Sequence, residues 1–147
     1  MKKLQELLLK ENYKKIKFKL TKTQHLTIKA EINGVKGEFI LDTGASNSCV
    51  GFESIELFKL KANNSKTKAA GAGATGMMTQ LASKNHLKMG TWKCDNFSLV
   101  IFDLSHVNEA LSQHKAKEVH GIIGADVLLQ GDAVIDYSSK YLYLKKL

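Results

Sequence analysis

One stretch of the chain combines residue types that could do acid–base chemistry. The apolar run Phe39-Ile40-Leu41 ends on Asp42, and Thr43-Gly44-Ala45-Ser46 follows at once. The run reads as the end of a buried strand and the four small residues as a tight turn. A carboxylate at the end of a buried strand costs free energy unless it is hydrogen-bonded or functional. Gly44 permits backbone shapes that other residues resist, and Ala45 and Ser46 leave room beside it. Such a turn can hold Asp42 with backbone N–H groups and the Thr43 hydroxyl while one side stays open. Asp-x-Gly is also an ordinary turn, so the triplet needs context. The context is a second element about 80 residues later, His120-Gly121-Ile122-Ile123-Gly124-Ala125-Asp126: apolar residues and a glycine, then a helical start.

Other chemistries find less support. Cys49 and Cys94 allow one disulfide at most and lack metal-site spacing. The histidines at 25, 86, 106, 114 and 120 are scattered with no paired ligand pattern, so they read as ordinary surface or core residues and no metal is expected. Gly71-x-Gly73-x-x-Gly76 fits a dinucleotide-binding pattern, but the long helix that pattern requires does not follow it. No cofactor is expected.

The chain has 147 residues, 44% of them hydrophobic, which suits one packed core. The net charge is +8 and every basic residue is lysine. Residues 1–22 hold eight lysines against two glutamates. A basic arm could meet nucleic acid or an acidic partner. Against nucleic acid, arginine is absent, and the lysines alternate with apolar residues as in Ile16-Lys17-Phe18-Lys19-Leu20, the mark of a half-exposed strand. No apolar run is long enough to span a membrane. The N-terminus starts like an export signal, but Gln5 and Glu6 interrupt it and no small-residue cleavage site follows. The reading is a short amphipathic helix in a cytoplasmic protein, with export as the alternative.

The elements that must position Asp42 are mostly strands. Residues 3–12 read as a helix and 15–20 as a strand with Ile16, Phe18 and Leu20 on one face. His25–Ile32 and Val35–Leu41 form a hairpin around Asn33-Gly34, where both residues tolerate positive φ. Ser48–Val50 is a short strand, 53–60 a short helix or turn, and Asn63-Asn64-Ser65 a loop. His86–Met89 and Trp92–Phe102 are strands around a turn at Gly90. Residues 106–115 read as a short helix, Val119–Ile123 as a strand and Asp126–Gln130 as a helical turn. Ala133–Tyr137 and Lys140–Leu144 close the chain as a hairpin. Many short strands with one or two short helices imply an all-β barrel or sandwich.

Leu41-Asp42-Thr43-Gly44-Ala45-Ser46 together with Ile122-Ile123-Gly124 resembles the retropepsin-like aspartic proteases, the single-lobe relatives of pepsin found in retroviruses and many bacteria. The resemblance covers residues 25 to 145. It implies a single-lobe acid-protease barrel over residues 23–147, preceded by a basic helix and strand extension over 1–22. It implies that Asp42 is the catalytic acid and base, that Thr43, Gly44, Ala45 and Ser46 shape and support its loop, and that Ile123 and Gly124 pack behind it. It places a flap over the substrate at the glycine-rich span, with Gly73, Ala74, Thr75 and Gly76 at its tip. Where retroviral relatives often carry an arginine after the second glycine, this chain has Ala125 and Asp126, which fits the bacterial branch better.

Aspartic protease chemistry needs two carboxylates sharing one proton. The chain contains one Asp-Thr-Gly. The expected source of the second is another copy of the chain, giving a homodimer with one site at the subunit interface. The N-terminal helix and the Tyr141–Leu147 tail are candidate interface segments. Asp103, Asp126, Asp132 and Asp136 are rival second carboxylates but lack the Thr-Gly context. The expected function is an endopeptidase acting on peptide or protein substrates. The alternative is a catalytically silent module of the same fold that captures peptides or partners.

Overall fold

In the computed structural model, residues 2–65 and 79–147 are described. Helix α1 (Lys2–Lys10) leads into strands β1 (Tyr13–Leu20), β2 (Leu26–Ile32), β3 (Val35–Leu41) and β4 (Cys49–Val50). A single 3-10 turn (Phe52–Ser54) is followed by β5 (Ala62–Ser65), β6 (Thr79–Met89) and β7 (Trp92–Ile101). Then come α2 (Ser105–Gln113), β8 (Gly121–Ile123), α3 (Ala125–Gln130), β9 (Val134–Asp136) and β10 (Tyr141–Lys145).

The sheet runs β5-β6-β7-β4-β8-β3-β2-β1-β10-β9, and an extra pairing of β2 with β6 joins two strands that are far apart in that order. That pairing closes β2, β3, β8, β4, β7 and β6 into a six-stranded barrel; β5 continues the sheet beyond β6, and β1, β10 and β9 continue it beyond β2, both from the closing pair. The all-β barrel expected from the sequence is therefore observed, and among the described residues it carries three short α-helices. Closure removes the exposed edges of those six strands.

Alternation makes the core. On β2, Leu26, Ile28, Ala30 and Ile32 are buried; they pack with Phe18, Phe39, Leu41, Trp92, Leu99, Ile101 and Ile123 inside the barrel. A second, smaller cluster takes the opposite face of β3 and β8, where Ile40 and Ile122 meet Phe102, Leu104, Leu111 and Val119. Helix α2 buries Leu111 and is thereby fixed against this outer layer.

Residues 15–20 belong to β1, which pairs with β10 through Tyr13–Lys17 and with β2 through Phe18–Leu20. Leu20, expected on the buried face, is 44% exposed at the strand end. The Asn33-Gly34 turn forms as expected, with φ of 52° and 83°.

Two elements differ from the sequence reading. Asn63-Asn64-Ser65 is not a loop but part of β5, paired antiparallel with β6. Strand formation there follows from a ready partner edge rather than from the polar residues' own preference. β6 also begins well before His86. Its pairing with β7 slips between Ala82 and Asn85 and again before Leu87, so the alternation that would announce a strand is broken. Lys84 sits at the first slip with φ of 61°. Asn85, 4% exposed, fills the irregularity: its Nδ2 donates to Ala82 O (2.9 Å) and Phe97 O (3.2 Å), while its Oδ1 accepts from Asn33 Nδ2 (3.0 Å). That last bond ties the β2–β3 hairpin to the β6–β7 hairpin where the barrel closes.

Candidate active site

Asp42 follows β3 directly. β3 pairs with β8 in parallel, Phe39–Leu41 against Gly121–Ile123, and the Asp42 N–H adds a bond to Ile123 O at 2.9 Å. The chain then turns back, and the Ala45 N–H donates to Asp42 O at 3.3 Å. Inside this turn the Gly44 N–H donates to Asp42 Oδ1 at 2.9 Å. A charge-assisted bond of that kind fixes the carboxylate's orientation without covering it. Asp42 is half-buried, Thr43 and Gly44 are exposed, Ala45 is buried and Ser46 is exposed.

The loop after β8 locks the turn from behind. Ala125 N–H donates to Ala45 O at 2.7 Å. At Gly124 a Cβ would stand 2.6 Å from Ala45 O and 3.1 Å from the Asn47 carbonyl carbon, so the two backbones approach as only glycine allows. Ile123, fully buried, packs into the barrel core beneath. Gly121 is tighter still, because a Cβ there would lie 2.0 Å from Cys49 O.

A polar network that the sequence reading did not anticipate completes the support. Ser48, wholly buried, donates from its Oγ to Asp126 Oδ1 (2.7 Å) and from its N–H to Asp126 Oδ2 (2.9 Å). Ser48 Oγ in turn accepts the Gly124 N–H at 2.9 Å, and Val127 N–H donates to Asp126 Oδ1 at 2.8 Å. Ser48 and Asp126 lie 78 positions apart, and no periodicity connects them. The one available signal was a serine four residues after Gly44 and an aspartate two residues after Gly124.

Asp42 and Thr43 line an open cleft of about 620 Å³. Ile40, Leu41 and Ile122 give apolar lining, α2 contributes His106, Val107, Ala110 and Leu111 with His114 just past its end, and the β1–β2 connection contributes Thr23, Gln24 and His25. Among the described lining residues Asp42 is the one carboxylate. Burial pushes the nearby Cys49 thiol up to about 12; the Ile122 backbone hydrogen bond opposes this, and the charges of Asp126 and Asp42 add to it. Among the described residues no group of three or more His, Cys, Asp or Glu could hold a metal ion, and no helix is long and apolar enough to cross a membrane. Gly73, Ala74, Thr75 and Gly76, expected at a flap tip, lie outside the described residues.

Three of the four rival carboxylates are occupied elsewhere. Asp126 belongs to the Ser48 network. Asp136 accepts from Ser139 Oγ (2.6 Å) and Ser138 N–H (3.0 Å), which hold its carboxyl below the usual range and cap the last hairpin. Asp103 accepts the Ser105 N–H at 2.8 Å at the start of α2, and this bond likewise lowers its pKa.

Comparison with known proteins agrees with this geometry. A family model described as aspartyl protease matches residues 28–127, from β2 through the Asp42 turn to the start of α3. No curated protein sequence matches the chain. Among solved structures, a retropepsin-like aspartic protease from Rickettsia conorii is similar at a TM-score of 0.60 and 17% identity, over 91% of this chain and 90% of that one. The retroviral protease-like domain of Ddi1 from Leishmania major gives a TM-score of 0.57 and 16% identity, over 84% and 90% of the two chains. EIAV protease, solved with an inhibitor bound, gives 0.53 and 18%, over 76% and 91%. At such identities these likenesses speak to fold, and the family match covers most of the chain. The chain belongs to the aspartyl protease family and has the retropepsin-like single-lobe fold.

Proposed function

We propose that this protein is an aspartic endopeptidase whose reactive pair is Asp42 from each of two copies of the chain. The observation that carries the reading is that Asp42 alone supplies a carboxylate to the described cleft, on a turn whose Thr43-Gly44 lip is exposed. A two-fold axis beside that lip would bring the two carboxylates together. Two such groups about 3 Å apart cannot both ionise readily, so the pair holds one proton. The ionised carboxylate takes a proton from a water held between them. The water oxygen attacks the scissile carbonyl as the other carboxyl donates its proton to the carbonyl oxygen. Collapse of the tetrahedral intermediate then breaks the C–N bond, with a proton delivered to the leaving amine. Thr43 and Gly44 hold the loop, and the Ala45–Gly124–Ser48–Asp126 assembly keeps it from shifting.

The test joins mass and turnover. Light scattering over a range of concentrations, with and without a peptide-based aspartic protease inhibitor, reads the assembly state. Cleavage of a mixed peptide library by the wild type and by Asp42→Asn reads the chemistry. A dimer and cleavage that depends on Asp42 support the proposal. A strict monomer under both conditions, or an unreduced rate in Asp42→Asn, would overturn it. Peptide binding without turnover by the wild type would instead favour a silent capture module.

A further inference from the structure

The lining of the cleft carries three imidazoles. His25 comes from the β1–β2 connection, and His106 and His114 come from the two ends of α2. All three are exposed, so each can meet a ligand. The His25 segment is braced: Thr21 Oγ1 accepts the His25 N–H at 3.0 Å and pairs with Thr23 Oγ1 at 2.8 Å, and Thr23 Oγ1 pairs with His25 Nδ1 at 2.6 Å. With Nδ1 engaged, Nε2 is the ring atom left for a ligand among the described residues. Helix α2 is braced by buried Leu111 and by Asn108, whose Nδ2 donates to Val119 O (3.0 Å) and whose Oδ1 accepts the Val119 N–H (2.7 Å).

The charged and titratable neighbours can be taken element by element. Asp42 closes the β3 side and Tyr137 the β9 side. Asp103, just before α2, acts on His106 through its charge, and Glu109 stands on α2 itself. No lysine is among the described lining residues. The cleft thus has one carboxylate, Asp42, and a basic lining made wholly of histidine, the side chain whose ordinary range for gaining charge lies nearest neutral pH. Asp103 interacts with His106, and Glu118 accepts the Ser112 hydroxyl at 3.2 Å two residues before His114, so carboxylates stand near both ends of α2 and His25 is the stronger anion donor.

We propose that this histidine wall makes the cleft selective for peptides with an acidic side chain, Glu or Asp, close to the scissile bond, and that the selectivity grows on acidification. Substrate carboxylates stay ionised down to about pH 4 while imidazoles are protonated below about pH 6.5, so attraction is greatest in the window between. The proposal rests on the protease reading for its biological sense, but its test does not.

Two labelled random octapeptide pools, identical except for Glu or Gln at one central position, serve as probes. Binding is measured on the Asp42→Asn protein by fluorescence anisotropy, and cleavage on the wild type. The expected result is about tenfold preference for the Glu pool at pH 5, as a single favourable charge pairing would give, falling towards parity at pH 7.5. His25→Gln should reduce the preference most, and His106→Gln or His114→Gln should each reduce it less. These are exposed positions, so folding should survive, and melting curves check it. Equal binding of the two pools at both pH values would overturn the histidine wall, as would a preference that survives loss of all three imidazoles. Absence of cleavage in the wild type, with the binding preference intact, would overturn the protease reading and leave this one standing.

Discussion

Asp42 and Asp126 stand on the two loops that meet where Ala45 touches Gly124, and their surroundings give them opposite roles. Asp126 accepts three protein donors, the Ser48 N–H, the Ser48 hydroxyl and the Val127 N–H. Asp42 accepts one among the described residues, from the Gly44 N–H, and turns the rest of its carboxylate to the cleft. Both are half-buried. Burial therefore does not distinguish the supporting carboxylate from the one proposed to react. What distinguishes them is how many of their lone pairs the protein has already occupied.

The comparison breaks or holds on one isosteric change made twice. Asp42→Asn should lower peptide cleavage by about 10²–10⁴-fold, because it removes a general acid–base group. Its stability should stay within about 0.5 kcal/mol of wild type. Asp126→Asn should do the reverse. An amide has one accepting oxygen, so a Ser48 or Val127 donor is left facing an N–H₂ group, at a cost of about 1–3 kcal/mol in urea unfolding. Cleavage per folded molecule should fall by far less than in Asp42→Asn. Equal stability losses in the two variants would erase the distinction.

Gly124→Ala tests the contact between the loops rather than the carboxylates. The new methyl would press on Ala45 O at 2.6 Å, a backbone atom that cannot rotate away. Overpacking of this kind costs about 1–3 kcal/mol, read by thermal unfolding. Because the strain falls on the residue three places after Asp42, cleavage should suffer beyond the loss of folded protein. A variant with full stability and full activity would show that the loops do not need this approach.

Sequence showed one of these carboxylates and not the other, and the reason is physical. Asp42 is marked by its neighbours in the chain: an apolar strand before it, Thr-Gly after it. Asp126 takes its meaning from Ser48, which only the crossing of β3, β8 and β4 brings near. The hairpin strands β2 and β3 were legible because alternation and Asn33-Gly34 are local signals. β5 and the first half of β6 were hidden, one by polar residues on a paired edge and the other by slips of register that break alternation. The histidines of the cleft looked scattered for the same reason as Ser48. Their common wall exists because α2 docks Leu111 under the β1–β2 connection's side of the barrel, a long-range event.

The Cys49 thiol feels the charge of both aspartates and reports on both. Its thiol is pushed from 9.0 to about 12, first by burial, against a backbone bond with Ile122, then by the charge of Asp126 and last by that of Asp42. The native state therefore holds this proton more tightly than the unfolded chain. The resulting stabilisation is complete below about pH 9 and is lost as pH rises towards 12. Alkylation should be slow in native protein at pH 8 and limited by opening of the fold, since the thiolate is the reactive form. Made in a Cys94→Ala background, the two aspartate variants should then separate. Neutralising Asp126 should bring the Cys49 titration down further than neutralising Asp42, in the order of their influence, while both remain above an exposed thiol because burial dominates. Ultraviolet absorbance of the thiolate against pH, read on folded protein, measures this. If Asp42→Asn moved the titration more than Asp126→Asn, the reactive carboxylate would sit closer to the interior than the supporting one, and the contrast between an open and an occupied aspartate would have to be redrawn.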